Sequence, residues 1–241
     1  MSVNEIHGRL ALVTGASGGA CAHQLAQHGV HLALTYSTNL ILTKKPRIRY
    51  TLRISIHQVD VGSADQIGAM FQQIETKHGH QPDILISNAE YGKRVPNVLE
   101  MSLDEFDCLI NVNLRASFIL VKGVVEHMMS QRWGRIVFVS SIAAYGGGIN
   151  GCHYAASKGG LTGMMNLSTR LAEYNISVND VAPAMIGSTG MISSTMVMDD
   201  MVAKIPLRRL GTPEETANAI TMLVTTGYMT GQSLLLAGGL R

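Results

Sequence analysis

The run Leu10-Ala-Leu-Val-Thr14 leads directly into Gly15-Ala-Ser-Gly-Gly19, and this junction constrains the chain more than any other stretch. A continuous apolar run with no polar alternation suits a strand covered on both faces. A helical segment follows from Ala20 to His28, and Gly29 is placed to close it as a C-cap. His31 to Thr35 supplies the next strand. Strand, glycine loop, helix and second strand at these lengths form a nucleotide-binding crossover. Glycines in such a loop let the backbone approach a pyrophosphate, and the helix N-terminus favours its negative charge. An ordinary glycine-rich turn reads the same in isolation, so the weight comes from position, directly after the first strand.

The alternation continues. Ile54 to Val59, Asp83 to Ser87, Arg135 to Ser140, Ile176 to Val181 (stopped by Pro183) and Ser233 to Ala237 read as strands. Helices are expected over Ala64 to His78, Leu103 to about Arg132, Tyr154 to about Tyr174, and from the capping box Thr212-Pro-Glu-Glu215 to about Thr226. Residues 38 to 53 contain Pro46 and the basic side chains Lys44, Lys45, Arg47, Arg49 and Arg53, and read as a short or broken surface helix. This order implies an α/β fold, a Rossmann-type doubly wound parallel sheet of about seven strands with helices on both faces. No repeat or linker divides it, so residues 1 to 241 are read as one domain.

Composition excludes several classes. Hydrophobic residues make up 46% and charged residues 15%, which is a core-forming chain rather than a disordered one. A net charge of +2 gives no reason to expect nucleic acid as the main partner. Cys21, Cys108 and Cys152 have no metal-like spacing, the nine histidines show no ligand pairing, and no metal is expected. Free thiols suit a reducing compartment. Without an apolar N-terminal signal or a run of transmembrane length, a soluble, cytoplasmic protein with no membrane partner is expected.

Three groups near the fifth strand carry candidate chemistry. Ser141 follows the strand, and Tyr154 and Lys158 lie four apart, on one face of a helix. A hydroxyl, a phenol and an ammonium converging there suit a small carbonyl or alcohol. Taken alone, Tyr-x-x-x-Lys arises often by chance and reads first as a core tyrosine and a surface lysine. The second strand ends in Tyr36-Ser37-Thr38, and no Asp or Glu occurs from Ile6 to Val59. An acidic residue about 20 positions past the glycines would bind a ribose 2′-hydroxyl and repel a 2′-phosphate. Its absence, with Ser37, Thr38 and the Lys44–Lys45 pair nearby, favours NADP over NAD; a merely solvated basic face is the plainer alternative.

Taken together, these residues resemble the short-chain dehydrogenase/reductase family. Thr14-Gly15-Ala16-Ser17-Gly18-Gly19 is similar to its cofactor loop, Asp60-Val61 to its adenine-contacting pair, and Asn88-Ala89 to most of its Asn-Ala-Gly motif. Asn113 matches its catalytic asparagine, and Ser141, Tyr154 and Lys158 its serine and Tyr-x-x-x-Lys, 13 residues apart from serine to tyrosine. Pro183 and Gly238-Gly239 fit too, so the resemblance spans nearly the whole chain, closest to β-ketoacyl-acyl-carrier-protein reductase-like members and fungal ketone reductases. The chain departs at four places: Cys21 replaces the loop's third glycine, which would loosen strand–helix packing; Glu90 replaces the glycine that lies against the cofactor; Ala184 replaces the glycine after Pro183; and the segment from Thr38 to Arg53, with Pro46, is shorter than usual.

The resemblance implies an NADP-dependent oxidoreductase moving a hydride between NADPH and a ketone or secondary alcohol. It implies cofactor contacts at Gly15, Ser17, Gly18, Gly19, Ala20, Tyr36, Ser37, Thr38, Asp60, Val61, Asn88, Ala89, Tyr154, Lys158, Pro183 and Ile186. Tyr154 would donate the proton, with Lys158 lowering its pKa from about 10 and holding the nicotinamide ribose. Ser141 would orient the carbonyl, and Asn113 would position a water linking Lys158 to solvent. A 3-oxoacyl-like or small polyketide-like ketone is favoured, with a sugar alcohol or steroid as competing substrates. A dinucleotide-binding sensor or assembly subunit is the alternative, motivated by Glu90 and Cys21.

Specificity is expected from Met185 to Arg209, whose methionines Met185, Met191, Met196, Met198 and Met201 suit an adaptable lid; packing on the core is an equal reading. Tyr145 and His153 flank the catalytic residues and are candidates to line the pocket. A homo-oligomer, a tetramer or dimer, is implied, with the Leu103–Arg132 helix and the Tyr154 helix as its faces.

Overall fold

The computed structural model describes residues 4–15, 19–38, 51–146, 149–189 and 199–240. Seven strands form one sheet: β1 (Leu10–Val13), β2 (His31–Tyr36), β3 (Ile54–Gln58), β4 (Ile84–Ser87), β5 (Gly134–Val139), β6 (Ile176–Pro183) and β7 (Ser233–Leu236). Every pairing is parallel, in the order β3-β2-β1-β4-β5-β6-β7. The order reverses between β1 and β4. That reversal opens a crevice beyond the strands' C-terminal ends, where ligands bind in sheets of this kind.

Helices cover both faces, and the strand sequences show why. Alternate residues of β1 point to opposite faces. Leu10 and Leu12 join Ile67, Met70 and Ile74 of α2 (Ala64–His78) and Leu120, Val124 and Met128 of a later helix in one core. Ala11 and Val13 join Cys21 and Leu25 of α1 (Gly19–Gln27) and Ile220, Leu223 and Val224 of the last helix in the other. Both sets leave water, so the strands carry no polar alternation. Cys21, expected to loosen this packing, is instead part of the second core at 3% exposure, and burial pushes its thiol up to about 12.

α2 keeps the expected bounds, with Ser63 capping it through the Gln66 amide and Gly79 closing it in a left-handed conformation. The long helix is continuous but not uniform. α3 (Leu103–Leu109) passes through a π-helical segment, Ile110–Arg115, into α4 (Ala116–Gln131). Contrary to the expectation that no run reaches transmembrane length, Leu103–Gln131 contains an 18-residue window of mean hydropathy 1.5, long and apolar enough to cross a bilayer by length and composition. Leu120, Val121, Val124 and Met128 nonetheless bury one side of it in the core, while Leu103, Phe106 and Phe118 are exposed.

α5 (Ala143–Gly146) and α6 (Cys152–Met164) follow β5. The helix expected to run to Tyr174 breaks at Met165–Asn166 into i→i+3 turns, then resumes as α7 (Leu167–Leu171) and a 3₁₀ turn to Tyr174. Three glycines near that end, Gly159, Gly160 and Gly163, weaken the helix. β6 does not stop before Pro183: Pro183 pairs with Leu236 as its last residue, where a missing N–H costs least. α8 (Asp199–Lys204) and α9 (Pro213–Thr225) complete the helices, and Thr212 and Glu215 form the expected capping box.

Candidate active site

The groups singled out in the sequence meet at the C-terminal edge of β1, β4, β5 and β6. Ser141 follows β5, and its Oγ accepts from the Ala143 amide at 3.2 Å. Gly151 starts α6 with φ +110, and a Cβ there would stand 2.3 Å from the Val95 carbonyl oxygen. That close approach sets where the first turn of α6 begins. One helical face then carries Tyr154, 5% exposed, and Lys158, 1% exposed. Lys158 Nζ donates to the Val139 carbonyl at 2.9 Å, and its ammonium lies 5.7 Å from the Tyr154 ring centroid. Ser141 hydrogen-bonds the phenol.

Glu90 enters this centre. Its Oε2 lies 2.9 Å from Lys158 Nζ and accepts from the Tyr154 hydroxyl at 3.1 Å. The expectation that Lys158 lowers the Tyr154 pKa is therefore corrected. The phenol stays well above its usual 10, because burial and the Glu90 charge both oppose the phenolate; the Ser141 bond acts the other way. Lys158 is charge-balanced by Glu90 and so offers the phenolate little net attraction. Glu90 was legible as a departure from a glycine, but nothing in the one-dimensional pattern said where its side chain would point.

Asn113 sits in the π-helical segment, 1% exposed. Its Nδ2 donates to the Tyr91 carbonyl and to Ser157 Oγ, both at 3.0 Å, and its Oδ1 accepts from the Tyr91 amide at 2.8 Å. Both amide protons are thus committed to protein. The side chain is a backbone anchor for the residue after Glu90, and it offers no amide proton for the water implied by the resemblance.

A second carboxylate lies beneath the centre. Asp180 of β6 accepts from Ser140 Oγ at 2.7 Å, the Ser140 amide at 3.1 Å and Ser233 Oγ at 2.6 Å. Burial raises its pKa, and these bonds together with Lys158 oppose the rise. Tyr145 is exposed and donates to Ser233 Oγ, which links it to this network. His153 is fully buried, and neither of its ring nitrogens has a hydrogen-bond partner among the described residues. Sequence reasoning missed Asp180, although a charge inside the expected strand was a visible signal.

At the other end of the crevice, Gly15 has φ +83 and a Cβ there would stand 2.9 Å from Ala89 Cα. Asn88 and Ala89 clamp this corner: both amides donate to Thr14 Oγ1 at 3.0 Å, and Asn88 Nδ2 donates to the Thr14 carbonyl at 2.9 Å. Gly19 and Ala20 open α1, whose first turn holds no acidic residue. Ser17 and Gly18 lie outside the described residues, as do Lys44, Lys45, Met191, Met196 and Met198. Tyr36 ends β2, and Ser37 and Thr38 follow it, both exposed. Asp60 is exposed beyond β3, with one carboxylate oxygen accepting from the Gly62 amide at 2.9 Å, and Val61 is buried. Pro183 is buried. Ile186 lines a cavity with Met185, Leu207, Gly211 and Leu236, which does not include Ser141, Tyr154 or Lys158. A charge-free helix N-terminus at one end and convergent donors at the other fit a dinucleotide.

Among the described residues, His80, Asp83 and His127 bring ligand-type atoms within 4.8 Å of one another at the opposite edge of the sheet. Asp83 is already occupied there: it accepts from Arg9 at 3.4 Å, His127 at 3.3 Å and the Leu10 amide at 2.9 Å. This trio ties β1 to β4.

The family described as "Enoyl-(Acyl carrier protein) reductase" matches residues 15–241. A 3-oxoacyl-[acyl-carrier-protein] reductase of Rickettsia bellii is 34% identical, over 98% of each chain. Nodulation protein G of Rhizobium meliloti is also 34% identical, over 98% of each chain. A crystal structure of a 3-oxoacyl-[acyl-carrier protein] reductase from Brucella melitensis superposes with a TM-score of 0.85 at 28% identity, covering 98% of this chain and 92% of that one. The chain therefore belongs to the short-chain dehydrogenase/reductase family and is an NAD(P)-dependent oxidoreductase acting on a carbonyl or alcohol, closely related to the 3-oxoacyl-[acyl-carrier-protein] reductases.

Proposed function

We propose that this enzyme, as a single domain, moves a hydride between NADPH and a ketone or secondary alcohol, with Tyr154 as general acid. The observation that carries the reading is the convergence of the half-buried Ser141 with the buried Tyr154 and Lys158 beside the switch point of the sheet. When bound, the dinucleotide supplies the hydride. Gly15, Gly19 and Ala20 hold its phosphates at the start of α1. Asp60, Val61, Asn88 and Ala89 flank the adenosine half, and Pro183 and Ile186 the nicotinamide half. Ser37 and Thr38 donate to a 2′-phosphate, with no carboxylate on that strand end to repel it.

Ser141 orients the substrate oxygen. Tyr154 gives that oxygen its proton as negative charge develops there, and its raised pKa keeps the phenol protonated until then. Lys158 holds ribose hydroxyls once Glu90 no longer claims its ammonium. Asn113 is a positioning residue that fixes the backbone at Tyr91.

A 3-oxoacyl-like or small polyketide-like ketone is the favoured substrate, because the curated relatives include enzymes named for 3-oxoacyl reduction. The exposed Leu103, Phe106 and Phe118 on one stretch support a homo-oligomer, a tetramer or dimer, through α3 and α4. A cytoplasmic location follows from the same kinship. The test is a ketone panel followed at 340 nm with NADPH and NADH in parallel. Faster turnover with NADPH on 3-oxoacyl-like ketones is expected, and equal or better rates with NADH would overturn the cofactor assignment.

A further inference from the structure

Glu90 makes a contact that the reductase chemistry leaves unexplained. One oxygen, Oε2, takes both the Tyr154 hydroxyl proton and the Lys158 ammonium. The backbone on either side of it is fixed, by Thr14 Oγ1 at Ala89 and by Asn113 at Tyr91. The side chain is 27% exposed where its two partners are almost fully enclosed, so a rotation outward leads to water.

Among the described residues, the surrounding charges offer it no second partner inside. From α6 it faces Tyr154 and Lys158. On β6, Asp180 lies on the far side of Lys158 and has the wrong sign. In the following loop, Lys93 is held by Glu105 at 2.8 Å, and Arg94 donates to the Ile149 carbonyl.

A substrate oxygen protonated by Tyr154 needs that O–H, and a hydroxyl held by Lys158 needs one of its N–H groups. While the carboxylate holds both groups, the Tyr154 proton is not available, and Lys158, which also donates to the Val139 carbonyl, keeps a single free N–H. We propose that Glu90 is a carboxylate latch on the Tyr154–Lys158 pair: closed in the free chain, and turned outward when dinucleotide hydroxyls and a substrate oxygen take over its two donors. The proposal rests on the reductase reading and adds to it a residue that sets cofactor affinity. The latch breaks and forms only hydrogen bonds and an ion pair, so no electron changes hands.

The test needs no turnover. The full chain is titrated with NADPH, following nicotinamide fluorescence without substrate. Wild type, Glu90→Gly and Glu90→Gln are compared, each with and without Lys158→Met. Glu90→Gly should bind about tenfold more tightly, which corresponds to about 1.4 kcal/mol. Glu90→Gln keeps the volume and loses the charge, so it should fall between wild type and Glu90→Gly; it carries the comparison if glycine loosens the loop. In the Lys158→Met background the gain from Glu90→Gly should shrink towards onefold, because the competition runs through that ammonium.

Unchanged or weaker binding by both Glu90 variants, with unchanged circular dichroism, would overturn the latch. So would an undiminished gain in the Lys158→Met background, which would assign the effect to repulsion of the phosphates. Failure of every variant and of wild type to bind NADPH or NADH would reject the dinucleotide reading itself, and the latch with it. Binding by wild type together with a null effect at Glu90 rejects the latch alone.

Discussion

Asn113→Ala separates anchoring from proton relay. The side chain makes three hydrogen bonds of 2.8 to 3.0 Å at a site only 1% exposed. A typical intramolecular hydrogen bond is worth about 1 kcal/mol net, and a buried group left without its partner costs more. The substitution strands the Tyr91 amide and removes one partner of Ser157, so a loss of roughly 3 kcal/mol is expected. For a chain of this size each kcal/mol lowers Tm by about 2–4 °C, which gives a fall of about 6–12 °C. Differential scanning calorimetry measures it, with NADPH titration on the folded variant alongside. Both stability and the placing of Glu90 should suffer, because Tyr91 is the residue that Asn113 fixes. A variant with unchanged Tm and a selectively lowered turnover would refute this reasoning and restore a relay role for the side chain.

Other consequences follow from individual contacts. Alcohol oxidation needs the Tyr154 phenolate, and Glu90 helps hold that pKa up. Glu90→Gln should therefore move the rising limb of the oxidation rate to lower pH, read from kcat/KM against pH; a shift to higher pH would contradict the pairing. At the far edge of β3, Ser55 Oγ lies 2.8 Å from His57 Nε2 and 2.9 Å from His78 Nε2. Burial, with Arg53 and neighbouring histidines, lowers His78 to about 4, and burial lowers His57 as well. The unfolded chain then binds more protons than the folded one between about pH 6.5 and 4, so stability is present above that window and lost as pH falls through it. Urea midpoints measured across this range should drop less for His78→Gln than for wild type. Gly151→Ala places a Cβ 2.3 Å from a backbone oxygen at φ +110; a loss of about 2–4 kcal/mol is expected, above the usual 1–3 kcal/mol for a strained backbone position because of the added clash. Chemical denaturation would show it, along with reduced turnover, because α6 carries Tyr154.

The layered sheet was legible because burial on both faces writes apolar runs into β1, β4 and the part of β5 after Arg135, and caps such as Ser63–Gly79 and Thr212–Glu215 mark helix ends. The Tyr154–Lys158 pair was legible because helical periodicity alone puts the two side chains on one face. What stayed hidden depends on side-chain direction. Nothing in the run around Asn88-Ala89-Glu90 says that the glutamate turns inward, and the same uncertainty reversed the expected effect on Tyr154. The π-helical segment at Asn113 was likewise invisible, since its apolar spacing matches an ordinary helix. Asp180 shows the limit from the other side: its charge stood out within a strand, but the serines that satisfy it come from β5 and β7, distant in sequence.

The central claim is that Tyr154 gives the proton in an NADPH-dependent reduction. The direct measurement is single-turnover reduction of a ketone that wild type accepts, followed at 340 nm, by wild type and Tyr154→Phe at matched NADPH occupancy. Loss of a positioned general acid typically costs about 10²–10⁴-fold, so Tyr154→Phe should slow by that factor while still binding NADPH. A Tyr154→Phe rate equal to wild type would contradict the account.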